Sequence, residues 1–92
     1  MNNKNNSVRN EEKSNDSFRF EILNHIGVLS QNQSGWSKEV NVVKWNDANP
    51  KIDIRDWDTE HEKMSRGISL NVSEAEKLSD LLVEIDFGEM LV

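Results

Sequence analysis

Two short apolar runs separated by a five-residue loop constrain the fold of this chain more than any other feature. They read VNVVKW at 40–45 and IDIRDW at 52–57, and the loop between them covers 46–50, NDANP. Runs of β-branched and aromatic residues on either side of Asn, Asp and Pro are typical of antiparallel strands joined by a turn. The pattern therefore predicts a β-hairpin at the centre of the chain.

Alternation along the hairpin divides its side chains between two faces, because successive side chains of a strand point to opposite sides. Val40, Val42, Ile52 and Ile54 share one parity. We interpret this set as the core face. The other parity holds an arginine and two tryptophans, which we expect to lie outside the core: Val43, Trp45, Arg55 and Trp57. Aromatic faces beside cations suit a stacked, negatively charged ligand.

One further strand is predicted on each side of the hairpin. Upstream, apolar residues alternate from Phe18 to Leu29, with a bend or bulge near Gly27. Downstream, a charged loop at 58–65 leads to a short strand at Ile68–Leu70. His61 in that loop has no second histidine four residues later, as a helical zinc site requires. The sequence predicts no metal, no cofactor and no catalytic residue, and the chain is not expected to be an enzyme.

The carboxy-terminal segment predicts one amphipathic helix. Ser73 and Glu76 form a capping box, and Gly88 is expected to end the helix. Leucines and isoleucine recur between them at helical spacing, and Val83 adds apolar surface off that stripe. The helix is either a simple cover for the sheet or a surface that also packs on a second copy. Because the folded segment is small for a single core, we expect a homodimer through residues 73–87.

Composition sets the domain boundaries. Residues 1–16 carry only Met1 and Val8 as sizeable apolar groups, so we expect a disordered, Asn-rich tail there, a single domain at 17–88 and a short tail at 89–92.

There is no cysteine, which excludes disulfides and thiolate metal sites. No apolar run approaches the roughly 18 residues of a membrane span, and no secretory signal is present. We expect a cytoplasmic protein, either free or associated with the nucleoid.

The net charge of −6 argues at first against a nucleic-acid partner. Its distribution weakens that objection. Residues 1–16 sum to zero, residues 17–70 to −1 (seven basic, eight acidic) and residues 71–92 to −5 (one basic, six acidic). The sheet region is therefore nearly neutral, and charge alone leaves the partner open.

A longer run of motifs carries a family resemblance. Trp45 ends one strand, Lys51-Ile-Asp-Ile-Arg-Asp-Trp57 forms the next, and Arg66-Gly-Ile-Ser-Leu-Asn71 opens into a helix. This order resembles the DNA-binding domain of the positive cofactor four (transcriptional coactivator p15) family. The wider run GW-x-KE-x-N-x-V-x-WNDA-x-PK-x-DIR-x-W, with H-x-KM and GI-x-L after it, resembles the small bacterial members of the YdbC kind more closely. The resemblance covers residues 18–87.

The resemblance implies an α+β fold, a curved four-stranded antiparallel sheet followed by one C-terminal helix (β-β-β-β-α), homodimeric through that helix. It implies sequence-independent binding of single-stranded DNA, with RNA as an alternative ligand, in support of transcription, repair or recombination. Bases would stack on aromatic residues and phosphates would meet Lys and Arg. The predicted nucleic-acid-binding residues are Trp36, Lys38, Lys44, Trp45, Lys51, Arg55, Trp57, Lys63 and Arg66. The competing hypothesis is a protein-interaction module that uses the outer aromatic face and the acidic helix.

Overall fold

The computed structural model describes residues 18–91 and shows one antiparallel sheet followed by one helix. The strands lie side by side in chain order: β1 (Phe20–Gln31), β2 (Ser37–Trp45), β3 (Lys51–Trp57) and β4 (Met64–Leu70). Helix α1 (Val72–Val83) follows at once, and a 3-10 turn covers Glu89–Leu91. The predicted α+β class and the β-β-β-β-α order are confirmed. The predicted tail at 1–16 lies outside the described residues.

The loop of the central hairpin has the predicted bounds, because β2 ends at Trp45 and β3 begins at Lys51. β2 begins three residues before the predicted run, and β3 begins one residue before it. Asn46 adopts a left-handed φ of 51°, which Asn tolerates better than most residues. Its backbone N–H donates to the Arg19 carbonyl oxygen (2.8 Å), and its side-chain oxygen accepts from the Arg19 N–H (2.7 Å). The hairpin loop is thereby joined to the chain just before β1, which holds Phe18 close to the end of β2.

Strand β1 is irregular along its whole length. Its pairing with β2 shifts register between Ile22 and Asn24, between His25 and Gly27, and between Val28 and Ser30. The single bend expected near Gly27 is therefore one of three irregularities, spaced three residues apart. Each bulge bends the strand and increases its local twist.

The sheet curls strongly. Ser37 pairs with Trp57 at one end of β2, and Trp45 pairs with Phe20 at the other end, eight residues along. A straight strand would separate those two positions by about 26 Å. The ring centroids of Phe20 and Trp57 are nevertheless only 5.2 Å apart. The odd-numbered side chains of β2 and β3 must therefore lie on the inside of the curve.

This curl overturns the predicted assignment of faces. The buried residues all have the parity expected outside: Glu39, Asn41, Val43, Asp53 and Trp57. The valines and isoleucines expected in the core are only half-buried, on the side that carries the helix. Both faces carry apolar groups, so alternation identified which residues share a face but not which face lies inside the curve.

Helix α1 begins two residues earlier than predicted. Asn71 is its N-cap, with its side-chain oxygen accepting from the Glu74 N–H (2.8 Å) and its N–H donating to the Glu74 carboxylate (3.0 Å). The capping box is thus Asn71/Glu74, and the Ser73/Glu76 prediction is wrong because the helix follows Leu70 without a loop. The helix ends at Val83, so Gly88 lies beyond it. No helix in residues 18–91 has the length and apolar run needed to cross a membrane.

The helix covers the even-numbered side of the sheet only in part. Between them lies an open apolar groove of about 620 Å³. Sheet residues Val40, Ile52 and Ile54 form one wall, and Leu78 and Leu82 of the helix lie on the other. No residue of α1 is buried. A substantial apolar surface therefore remains exposed to water in the single chain.

Candidate nucleic-acid interface

The aromatic residues form a continuous row across the curl of the sheet. Phe18 lies 6.2 Å from Phe20 and 5.6 Å from Trp45, measured between ring centroids, and Phe20 lies 6.0 Å from Trp45. Trp57 follows Phe20 on the inner side. Exposure rises along the row, from a fully buried Trp57 through a half-buried Trp45 to Phe18, which is 63% exposed. The outer end of the row, Phe18 with Trp45, can accept a stacked base.

Phe18 was not among the predicted site residues. It lies two residues before β1, held next to the end of β2 by the paired hydrogen bonds between Arg19 and Asn46. The alternation Phe18-Arg19-Phe20 in the sequence did place both rings on one side of the chain. Proximity to Trp45 depends on strand pairing across 27 residues, which the local pattern does not report.

The prediction that Trp57 lies outside the core is wrong. Its ring is 0% exposed and packs 5.2 Å from Phe20 and 5.7 Å from His61. Its indole N–H has no hydrogen-bond partner among the described residues. The curl places this side chain under the loop that joins β3 to β4, so its ring is not available to a base in this conformation.

Trp45 is held by a chain of hydrogen bonds that ends on a buried carboxylate. Its indole N–H donates to Ser69 Oγ (3.1 Å), and the Ser69 hydroxyl donates to Asp53 Oδ1 (2.7 Å). Arg55 donates to both Asp53 oxygens through Nε and Nη2, each at 2.7 Å. The Arg55 guanidinium carbon also lies 4.6 Å from the centroid of the Trp45 ring. Residues of β2, β3 and β4 thus together hold the Trp45 indole in one orientation.

A second polar network surrounds Glu39, which is almost fully buried. Its carboxylate accepts hydrogen bonds from the Ser37 hydroxyl (2.6 Å), Asn41 Nδ2 (3.2 Å) and His61 Nε2 (3.0 Å). Burial alone raises the pKa of Glu39, but the hydrogen bonds from Ser37, Asn41 and His61 outweigh burial and hold that pKa below its ordinary value. His25 extends the network through Asn41 (2.7 Å) and is itself exposed.

The loop between β3 and β4 is shaped by its own acidic residue. Asp58 accepts backbone N–H bonds from Glu62 (2.8 Å) and Lys63 (3.0 Å). These bonds, with Lys63 contributing most, lower the pKa of Asp58. His61 adopts a left-handed φ of 57° in this turn and reaches Glu39. Within residues 18–91 no three His, Asp or Glu side chains converge to hold a metal ion.

The predicted cations are spread over both sides of the sheet. Lys51 pairs directly with Val43, so it shares the inner-face parity at the rim beside the aromatic row. Lys44 and Lys38 have the opposite parity; Lys44 is half-buried and Lys38 is exposed. Lys38 and Arg66 line a common hollow of about 310 Å³ with Asp56. Lys63 is exposed on the loop after β3. Of the lysines on β2 and β3, Lys51 is therefore the one that shares a face with Trp45.

Arg55 and Trp36 occupy different settings from those cations. The Arg55 side chain is only 14% exposed, and its donors point to interior partners. Trp36 is half-buried at the start of β2, where the Asn32 side chain accepts its backbone N–H (3.1 Å) and Gly35 takes a left-handed φ of 96°. Trp36 thus lies just before β2 and Trp45 at its far end, nine residues apart along the chain.

Comparison with known proteins agrees with this architecture. Residues 32–81, more than half of the chain, match the family described as Transcriptional Coactivator p15 (PC4). The chain belongs to the Transcriptional Coactivator p15 (PC4) family. A protein of Treponema pallidum (strain Nichols), described as "Uncharacterized protein", is 40% identical over 68 residues, which cover 74% of this chain and 80% of the relative. The PC4 family binds single-stranded DNA and is not a family of enzymes. The predicted family membership is confirmed.

The matched PC4 region begins at Asn32 and ends at Leu81. It contains Trp36, the whole hairpin, β4 and most of α1. It leaves out Phe18 and the whole of β1, with Phe20 and the three bulges that help to curl the sheet. The outer ring of the aromatic row is therefore a feature of this structure that the family match does not cover.

Proposed function

We propose that this protein binds single-stranded DNA without sequence preference, by stacking bases on the outer aromatic row and contacting phosphates with nearby lysines. The observation that supports this most directly is the exposed Phe18 ring 5.6 Å from Trp45, at the end of β2 where Lys51 shares the face of the aromatic row. Among the described residues Lys51 forms no ion pair with a carboxylate. Lys51 is therefore the lysine that we assign to phosphate beside Trp45, while Lys44, half-buried with the opposite parity, would reach a phosphate only past the end of the strand.

Stacking and phosphate contacts contribute differently to the proposed binding. A base stacked on an aromatic side chain is worth about 1–3 kcal/mol and is tolerant of sequence, since every base has a π face. Phosphate contacts add affinity that salt weakens. Lys63, exposed on the loop after β3, extends the proposed phosphate path away from Trp45. Lys38 and Arg66 are exposed around a hollow on the opposite side of the sheet and are not assigned to this path. Trp36 is proposed as a further stacking residue at the far end of β2.

Trp57 and Arg55 take a different part in this proposal from the one the resemblance implies. Both side chains are directed to the interior, where Trp57 supports Phe20 and Arg55 supports Trp45. We assign them to holding the aromatic row in place. The bases and phosphates would then contact the residues at its rim.

The apolar groove supports a homodimer through the helix. In the single chain, Leu81, Leu82 and Phe87 remain 53%, 43% and 57% exposed. A second copy offers the same apolar helix surface, and a symmetric pairing of two such surfaces would bury both grooves. Leu82→Glu should prevent this association, while Val72→Ala, an exposed change at the start of α1, should not. Sedimentation velocity at micromolar concentration distinguishes a dimer from a monomer.

The function is tested by titrating the protein with oligo-dT and following intrinsic tryptophan fluorescence. We expect quenching on binding, and we expect Trp45→Ala and Phe18→Ala each to weaken binding by about 1–3 kcal/mol. Val72→Ala is the matched control and should bind as the unmodified protein does. Titrations with oligo-U and with duplex DNA of equal length compare the affinity for RNA and for double-stranded DNA with that for single-stranded DNA.

Two outcomes would decide against the proposal. Equal affinity for duplex and single-stranded DNA would remove the role of stacking, because paired bases do not expose their faces. No binding of any nucleic acid would favour the alternative, a protein-interaction module that uses the aromatic rim and the acidic helix. The biological process, whether transcription, repair or recombination, would follow from the partner DNA and not from the geometry of the site.

A further inference from the structure

Each of the three guanidinium nitrogens of Arg55 donates a hydrogen bond to a protein group. Nε and Nη2 donate to the two oxygens of Asp53, each at 2.7 Å. Nη1 reaches the Ser65 carbonyl oxygen (3.4 Å) and the Met64 sulfur (3.5 Å). Asp53 is 0% exposed, so the ion pair is shielded from solvent. A phosphate that bound the Nε/Nη2 edge of this guanidinium would have to displace a buried carboxylate and leave that charge without a partner.

The same guanidinium covers one side of the Trp45 indole. Its central carbon lies 4.6 Å from the ring centroid, within the range of a cation–π contact. Asp53 fixes the guanidinium directly, and it fixes the indole N–H through Ser69. The four side chains of Trp45, Ser69, Asp53 and Arg55 therefore form a closed ring of contacts that sets the orientation of the indole.

We propose that Arg55 is an internal cap on one face of Trp45, with Asp53 and Ser69 as positioning residues. Trp45 then accepts a single base on its remaining face, and Arg55 makes no phosphate contact. This inference rests on the proposed function and deepens it, since it defines how many bases can stack on Trp45. It also assigns Arg55 a role different from the phosphate contact that the family resemblance implies.

The salt dependence of oligo-dT binding tests the role of Arg55. Removing the arginine alone would leave Asp53 buried and unpaired, so the test uses the double variant Asp53→Asn/Arg55→Gln, with the fold checked by circular dichroism. We expect its affinity to fall by roughly three- to tenfold at every salt concentration, since a loosely held ring stacks less well. The slope of log affinity against log salt should not change. Lys51→Gln is the matched control, and it should make the slope shallower by about 0.7, the value for one lost phosphate contact on a single strand.

The positioning role is tested without nucleic acid. The indole N–H resonance of Trp45, assigned with Trp45→Phe, should move in both the double variant and Ser69→Ala, while those of Trp36 and Trp57 should not. Ser69→Ala leaves no buried charge and should lower oligo-dT affinity without changing the slope.

Three results would overturn the inference. A slope that becomes shallower by about 0.7 in the double variant would show that Arg55 meets a phosphate. Unchanged affinity in a folded double variant would show that the cap does not affect stacking. An unchanged Trp45 resonance in Ser69→Ala would show that the hydrogen-bond chain does not position the ring. Absence of oligo-dT binding by the unmodified protein would refute the proposed function and the stacking of a base on Trp45. The indole N–H resonance of Trp45 would still test, without nucleic acid, whether Ser69, Asp53 and Arg55 position the ring.

Discussion

Trp57→Ala should strongly destabilise this domain. The Trp57 ring is 0% exposed and lies between Phe20 and His61 on the inside of the curl. Truncation of a buried tryptophan to alanine typically costs about 3–5 kcal/mol, because burial is lost and a cavity remains. A domain of this size has a total stability of about 5–10 kcal/mol. The loss is therefore roughly half of the free energy of unfolding.

Trp57→Phe provides a graded comparison at the same site. Phenylalanine keeps a ring against Phe20 but leaves out the indole N–H, which has no partner among the described residues. A buried, unsatisfied donor costs about 1–3 kcal/mol, so its removal offsets part of the lost packing. We expect Trp57→Phe to lie within about 1.5 kcal/mol of the unmodified protein.

The measurement is urea unfolding followed by far-ultraviolet circular dichroism, at one fixed protein concentration because the stability of a dimer depends on concentration. Trp36→Ala, at a half-buried position, is the comparison for loss of a tryptophan outside the core. If Trp57→Ala shifts the unfolding free energy by less than about 1 kcal/mol, the ring is not in the core and our account of the curl is wrong.

Three further predictions concern pH, packing and salt. The pKa of Glu39 is lowered in the folded protein, so the carboxylate contributes to stability above about pH 4.3, and this contribution is lost as the pH falls through the folded-state pKa. Glu39→Gln should therefore reduce the loss of unfolding free energy at acidic pH. The exposed control Glu21→Gln should leave that loss unchanged. Gly67→Ala should destabilise the fold by about 1–3 kcal/mol in urea unfolding, since an added Cβ would clash with Arg55 Cβ and the Ile54 carbonyl oxygen. Gly27→Ala, with open space around the added Cβ, is the control. Equal stabilities of the two variants would contradict the close approach of β4 to β3 at Gly67. Oligo-dT binding should show a shallow salt slope of about −1 to −3 per site, and a slope near −5 would mean that lysines and not aromatic rings dominate the affinity.

The order of elements could be predicted from sequence because each depends on local patterns. The hairpin bounds followed from Trp45, Pro50 and the alternation around them, and the helix followed from its leucine spacing. The start of the helix was misplaced because Asn71-x-x-Glu74 and Ser73-x-x-Glu76 both fit a capping box. Only the position of β4 decides between them.

The assignment of faces could not be predicted, for a physical reason. Parity places Trp57 and Val43 together, and Val40 and Ile54 together, but each set is apolar enough to be a core. The direction of curl decides which set is buried, and it depends on bulges in a strand that is distant in sequence. Arg55 was assigned to phosphate for a similar reason, since its contacts with the Trp45 ring and the Ser65 carbonyl oxygen form only when β2, β3 and β4 pair.

The three bulges of β1 also bear on how copies of this protein can meet. β1 is an edge strand twelve residues long, and Leu23, Ile26 and Val28 on it are about half exposed. A flat edge with that composition would invite another chain to add as a further strand, and repetition of that step would lead to open-ended aggregates. A register shift every third residue interrupts the regular row of N–H and C=O groups that such an addition requires. The bulges therefore disfavour association at the sheet edge, and they leave the groove beside the helix as the surface at which we propose that two copies pair.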